Sequence, residues 1–172
     1  PYGIYYVYNT YSLANGTARA IVEEGKKDWF FITADYAFGH SLEANASAVV
    51  EQMGGKVLGK VRHPLSASDF GSFLLQAQSS KAQVIGLANA GRDTQNSIRQ
   101  AAEFGLTTGK QLVAPLLIVD TDLKGIGLKA AQGLQFTTAF YWDYNDETRA
   151  FSKKFHAQTK LMPTMVQAGM YS

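Results

Sequence analysis

The sequence predicts an α/β fold, a doubly wound and mostly parallel sheet with helices on both faces. Three observations carry this prediction. Short apolar runs rich in aromatic and β-branched residues, such as Trp29-Phe30-Phe31-Ile32 and Val84-Ile85-Gly86-Leu87, have the unbroken apolar character of strands buried on both faces. Segments of helical periodicity separate these runs, and the strand-helix alternation recurs about five times with short connections. Several of the helical segments end in Gly, the residue that closes a helix in a left-handed turn. Because parallel neighbours need right-handed crossovers, such a chain winds helices over both faces of one sheet.

In chain order, Ile4 to Tyr8 reads as a short strand or a lead-in from an adjoining domain. Tyr11 to Glu24 carries Ala14, Ala18, Ile21 and Val22 at helical spacing, with Gly25 as its stop. The buried strand Trp29 to Ala34 follows. Leu42, Ala46, Val49, Val50 and Met53 then form one apolar helix face that Gly54-Gly55 ends. Lys56 to Arg62 reads as a strand, His63 to Ser68 as a loop marked by Pro64, and Asp69 as the N-cap of a helix bearing Phe70, Phe73, Leu74 and Ala77. Gln83 to Leu87 is the next strand, and Arg92 to Phe104 the next helix, stopped by Gly105. A strand starts at Gln111, and Pro115 makes its far end an edge. Asp120 to Ala131 reads as a short helix broken by Gly125 and Gly127, followed by a strand over Leu134 to Ala139. Asp146 is expected to cap a last helix with Phe151 and Phe155 on one side, which Met162-Pro163 breaks.

At 172 residues, with 46% hydrophobic and 17% charged, the chain suits one domain with one core. A net charge of +2, with scattered Lys and Arg, gives no footprint for nucleic acid. The chain has no Cys, which removes thiolate nucleophiles, thiolate metal sites and a disulfide framework. No apolar run approaches the 18 to 20 or so residues of a membrane span. Starting at Pro1 and ending at Ser172, the chain is read as a piece of a longer precursor.

Catalytic and cofactor motifs are missing. His40, His63 and His156 lie far apart with no second ligand at metal-motif spacing, and His40 with Glu43 reads as a solvated pair at a helix start. No Gly-x-Ser-x-Gly elbow or Walker motif is present, and Gly125-Ile126-Gly127 lacks the third Gly of a dinucleotide fingerprint, so it reads as a turn. We expect no enzyme, no metal and no cofactor. What remains is a set of loop residues at the carboxyl ends of successive strands, which parallel topology gathers on one rim. They are Tyr8, Asn9 and Thr10; Asp35, Tyr36 and Phe38; Asn89 and Arg92; and Asp120 with Thr121. Aromatic walls with a few polar groups suit a small organic ligand. Each residue also has a structural reading. Tyr36 and Phe38 can pack the helix after them, Asn89 can form a turn, and Asp120 can cap the helix containing Leu123. Asp35 reads as a helix cap in preference to a ligand contact.

The motif Thr33-Ala34-Asp35-Tyr36-Ala37-Phe38-Gly39-His40, then Glu51 to Val57, Ser68-Asp69-Phe70, Arg99 to Leu106 and Gln167 to Ser172, resembles the branched-chain-amino-acid type of solute-binding protein that serves ABC transporters. The resemblance implies a type I periplasmic binding protein with two lobes and a ligand cleft between them. On this resemblance residues 1–172 are a single lobe, the second, with 1–3 and 167–172 near the crossings to a missing first lobe. It implies an extracytoplasmic protein partnered by a small-molecule solute and by permease subunits in the membrane. It places ligand contacts at Asn9, Thr10, Tyr36, Phe38, Asn89 and Asp120. The loop Ala88-Asn89-Ala90-Gly91 and the Asp at 120 depart from the pattern of amino-acid binders, which brings an aromatic or other organic acid in beside an amino acid as the solute. The alternatives are a sensor lobe of the same fold or a flavodoxin-like or Rossmann-like enzyme, and the single Gly of the Ala34 to Gly39 loop speaks against the phosphate site such an enzyme needs.

Overall fold

Strands that must bury both faces need helices above and below them, and the chain supplies them in alternation. The computed structural model describes residues 7–107 and 109–171. Four strands, β1 (Asp28–Ala34), β2 (Lys56–His63), β3 (Val84–Ala88) and β4 (Leu112–Pro115), form one sheet in the order β2-β1-β3-β4. Every pairing in it is parallel. β1 is central, and all its residues from Trp29 to Ala34 are buried, which is why its sequence shows no polar alternation. β2 is an edge strand, and its residues alternate between exposed and half-buried until His63.

Successive side chains of β1 serve opposite faces. Trp29 and Phe31 meet α1 (Thr10–Glu23) and α2 (Ala37–Gln52), which contribute Leu13, Ala18, Ile21, Leu42, Ala46 and Val50. Phe30 and Ile32 meet the helices of the other face, α3 (Gly71–Ser79) and α4 (Gly91–Glu103), through Phe70, Leu74, Ile98 and Ala101. The short α5 (Asp120–Ile126) adds Ile126 to that second layer. Each such large side chain contributes about 1.5–3 kcal/mol of burial. The Trp29 indole also donates to the Lys26 carbonyl at 3.1 Å, so its one polar atom is satisfied.

Several local expectations shift. α1 is capped by Asn9, whose Oδ1 accepts from the Ser12 amide at 2.8 Å while Ser12 Oγ accepts from the Asn9 amide at 3.1 Å. The N-cap of α3 is Phe70, not Asp69; Asp69 Oδ1 sits one residue earlier and accepts from the Gly71 amide at 2.8 Å. The last long helix, α6 (Asp146–Thr159), is capped by Asn145, with Asp146 one place further in. Asn145 Oδ1 reaches the Thr148 amide at 2.9 Å. His63 belongs to β2 and is fully buried, not in a loop. Of the expected strand over Ile4 to Tyr8, residues 4–6 lie outside the described residues, and Val7 and Tyr8 are not in a strand. The expected arrival at residues 1–3 also lies outside them.

The expected strand over Leu134 to Ala139 is not formed. This stretch packs Leu134 and Phe136 against the second-face core. Gln135 and Thr137 turn to α1, where Thr17 Oγ1 donates to Thr137 Oγ1 at 3.0 Å and Gln135 Nε2 reaches the Glu24 carboxylate at 3.0 Å. Alternation is present but the ladder is not, and Pro115 leaves the β4 edge without one of its donors. Beyond it come α6 and α7 (Met165–Tyr171). Among the fourteen residues of α6, only Ser152 is buried.

Candidate functional site

Parallel strands end on one side of the sheet, and helices that run back against them begin there, so one rim collects both strand ends and helix starts. From β1 the chain goes over one face, through α2, to β2; from β3 it goes over the other face, through α4, to β4. The loops after β1 and β3 therefore diverge, which opens a crevice at the switch point. Gly39 lets α2 settle onto that point. A Cβ there would collide with the Ala34 carbonyl oxygen and lie 3.0 Å from that of Ala88.

Tyr36 is the N-cap residue of α2 and caps through its backbone alone. Its ring lies 5.9 Å from that of Phe38, tilted by 35°. Burial raises the Tyr36 hydroxyl above the usual tyrosine range, and the nearby charge of Asp93 adds to the effect, so it stays a neutral donor. Phe38 is half-buried and packs on the first-face core. Asp35 does not cap α2. Its Oδ1 instead pairs with His40 Nε2 at 2.8 Å, which also removes the expected His40 pairing with Glu43. Glu43 turns inward, accepting from Thr33 Oγ1 at 2.6 Å and from Lys60 Nζ at 3.1 Å, with Arg62 at 3.5 Å.

Asn89 is fully buried at the end of β3. Its Oδ1 accepts from Thr94 Oγ1 at 2.8 Å, and its amide group donates to Ser97 Oγ at 3.1 Å and to His63 Nε2 at 3.2 Å. The Nε2 must be the acceptor, because His63 Nδ1 faces the Pro64 carbonyl at 2.9 Å and a carbonyl only accepts. Both N–H groups of Asn89 are thus spent inside the protein, where they hold the ends of β2 and β3 together. Thr10 ties α1 to α2, with its hydroxyl 2.8 Å from Ser41 Oγ and accepting from Asn45 at 3.1 Å. Asn9 is exposed and occupied in its capping box.

Asp120 opens α5 at the end of the segment after β4, and Val119 is the N-cap. Burial lifts its carboxyl above the usual carboxylate range; Asp122 adds to this, while its own amide and Lys124 pull the other way. Asp122, not Asp120, receives the Val119 amide at 3.2 Å and Gln95 Nε2 at 2.7 Å. All six expected contact residues therefore lie at strand ends or helix starts of one rim. Tyr36 and Phe38 touch each other, whereas Asn9, Thr10 and Asn89 are engaged with neighbours inside the fold.

One residue the sequence reading passed over is Asp93, in the first turn of α4. It is only 6% exposed, and its Oδ2 accepts from the Ser66 amide at 3.1 Å. The signal was available as an acidic residue one turn after a rim loop, but the helix dipole explains such an acid without any site. Away from the rim, Arg99, Glu103, Ile126, Lys129, Ala130 and Gln132 line a cavity of about 540 Å³ at the far end of α4.

A doubly wound parallel sheet whose strand ends and helix starts gather aromatic and carboxyl groups on one rim is the architecture in which α/β folds hold ligands. Comparison with known proteins gives it a family. A family model described as periplasmic binding protein matches residues 1–172. A periplasmic binding protein from Burkholderia mallei is 53% identical, with a TM-score of 0.94 over all of this chain and 46% of its own. A branched chain amino acid ABC transporter periplasmic ligand-binding protein from Burkholderia xenovorans LB400 is 40% identical, with a TM-score of 0.91 over 99% of this chain and 46% of its own. A solute binding protein of an ABC transporter from R. palustris, in complex with 4-hydroxybenzoate, shares the fold at 23% identity, with a TM-score of 0.84 over 94% of this chain and 45% of its own. No curated protein matches the chain. The chain belongs to the periplasmic binding protein family, of the branched-chain amino acid type. It spans about half the length of the solved relatives it matches. The family and the two Burkholderia proteins are periplasmic binding proteins, which act outside the cytoplasm, and none of the described helices is long and apolar enough to cross a membrane.

Proposed function

We propose that this chain forms one wall of a solute cleft in the binding component of an ABC importer, acting outside the cytoplasm and handing its solute to the permease. The observation that carries this is the rim of strand ends and helix starts, where the half-buried Tyr36–Phe38 pair follows β1 and the half-buried Asp120 carboxyl follows β4. In this reading Tyr36 and Phe38 cover an apolar or aromatic body, and Asp120 receives a hydrogen-bond donor such as an ammonium group. Thr10, Asn9 and Asn89 serve the site mainly by fixing α1, α2 and the end of β3. The solute is a small amino acid or an aromatic or other organic acid, and no bond is made or broken.

The second wall belongs to the length of the relatives that this chain does not span. The described tail supports this: Phe151, whose ring lies 4.7 Å from that of a 76% exposed Tyr171 and tilted by 45°, is on a helix with almost no buried residue. In this reading α6 and α7 rest against that other half, and the crossing back to it runs through or near 167–172. One rim alone should bind weakly, because half of the enclosing surface is absent. Closure would be a hinge rotation of the two halves about the solute.

Isothermal titration of the full-length protein tests the reading. Leucine, benzoate and 4-hydroxybenzoate are the probes, with adenosine monophosphate as the control. Saturable binding of at least one of the three is expected. Binding of the nucleotide with none of the three would show that the solute class is wrong.

A further inference from the structure

Of the described side-chain atoms, three are buried without a hydrogen-bond partner: Gln135 Oε1, Ser152 Oγ and Asp93 Oδ1. The first two are neutral and lie in the C-terminal segment. Asp93 is different because it is ionisable, 94% removed from solvent by its 6% exposure, and on the rim. Its surroundings hold it in place without satisfying it. Oδ2 takes the Ser66 amide at 3.1 Å, from the loop that follows β2. The Asp93 carbonyl accepts from Ser97 Oγ, which in turn accepts from Asn89, so the residue is anchored to the braced end of β3. Tyr36, which leaves β1 on the same rim, feels the charge of Asp93.

A buried carboxylate with one amide donor is poorly compensated, and the dipole of α4 offsets only part of the deficit. A donor that arrives from the crevice would complete it. We propose that Asp93 selects the solute: its free Oδ1 receives a hydrogen bond from an O–H or N–H group on the end of the solute that rests against Tyr36. This rests on the solute-binding reading above and narrows it to solutes that carry a donor there, a phenolic hydroxyl or an ammonium. Tyr36 and Phe38 supply the aromatic face beside that donor, and since Oδ1 is covered in this structure, the side chains over it move aside as the solute enters.

The test compares three probes on the full-length protein: 4-hydroxybenzoate and leucine, which carry the two kinds of donor, and benzoate, which has none at its ring end. In Asp93→Asn the amide oxygen must stay toward the Ser66 N–H, so the NH2 group takes the place of Oδ1 and meets a donor with a donor. A charge-assisted bond of this kind corresponds to about a 10- to 100-fold loss in affinity. We expect that loss for whichever donor-bearing probe binds the wild type, with benzoate changed by less than about 3-fold. Asp93→Ser, which keeps a hydroxyl acceptor at reduced strength, should fall between the two. Retained benzoate binding reports that the variants fold. If the wild type binds none of the three probes, the solute reading fails and the inference with it. If the wild type binds a donor-bearing probe and both variants keep its ratio to benzoate, or if the wild type prefers benzoate, only the role of Asp93 is overturned.

Discussion

The sandwich and the C-terminal arm of this chain are built on opposite terms. From α1 to α5, helices on both faces bury Leu13, Ile21, Leu42, Leu74 and Ile98 against a sheet whose central strand is almost wholly inside. In the arm, α6 runs for fourteen residues and buries only Ser152, while Tyr144 before it and Leu161 and Tyr171 after it stand exposed. The difference separates a region with its own core from one without. The sandwich encloses its own apolar side chains, whereas the arm leaves most of its side chains uncovered and its aromatic rings mainly in contact with one another.

The largest effect that sharpens this contrast comes from the sandwich. Trp29→Ala, which empties the centre of the first-face core and strands the Lys26 carbonyl, should cost about 3–5 kcal/mol in urea unfolding. A loss under 1 kcal/mol would mean that the core is not as packed as described. Phe155→Ala in α6 should cost less than about 1 kcal/mol in this chain alone, since its described ring contact is a loose one with Phe151 at 6.2 Å. In the full-length protein the same change should cost about 2 kcal/mol or more, because the arm is then covered. Equal costs in the two settings would break the comparison.

The smallest effect concerns pH. Burial raises the Asp120 carboxyl, so its ionisation opposes folding; stability falls as pH rises from the unfolded value through the raised folded one. For an ammonium solute the sign is reversed at the level of binding, because the ion pair needs the ionised carboxylate. Affinity for leucine should weaken as pH drops through that raised value, and Asp120→Asn should flatten the profile. Titrations across the acid range check this.

The layout of the sandwich was legible because its signals are local. β1 and β3 announce themselves as unbroken apolar runs, and Gly25, Gly54 and Gly105 mark helix ends by adopting positive φ. Misreadings arose where one residue type serves neighbouring positions equally well. Asp146 lies one place inside the true cap, where an acid is as favourable as at the cap itself, and Asp69 lies one place before its helix's cap, from where its carboxylate still accepts from the Gly71 amide. The stretch Leu134 to Phe136 has strand alternation, but whether a ladder forms depends on the edge that faces it, and that edge contains Pro115. The site was less legible still. That Asn89 is spent on His63, Thr94 and Ser97 follows from contacts spread over 34 positions of chain, and no spacing rule reveals it. Asp93 looked like an ordinary first-turn acid until its second oxygen proved to be unpaired.

The central claim is that solute binds at the carboxyl rim, between the loops that leave β1 and β3. Hydrogen exchange of the full-length protein, with and without saturating solute chosen from the titrations, tests it directly. The account predicts new protection at the amides of Tyr36 to Phe38 and Ala90 to Asp93. Protection confined to the cavity lined by Arg99, Glu103, Lys129 and Gln132, with the rim unchanged, would contradict it.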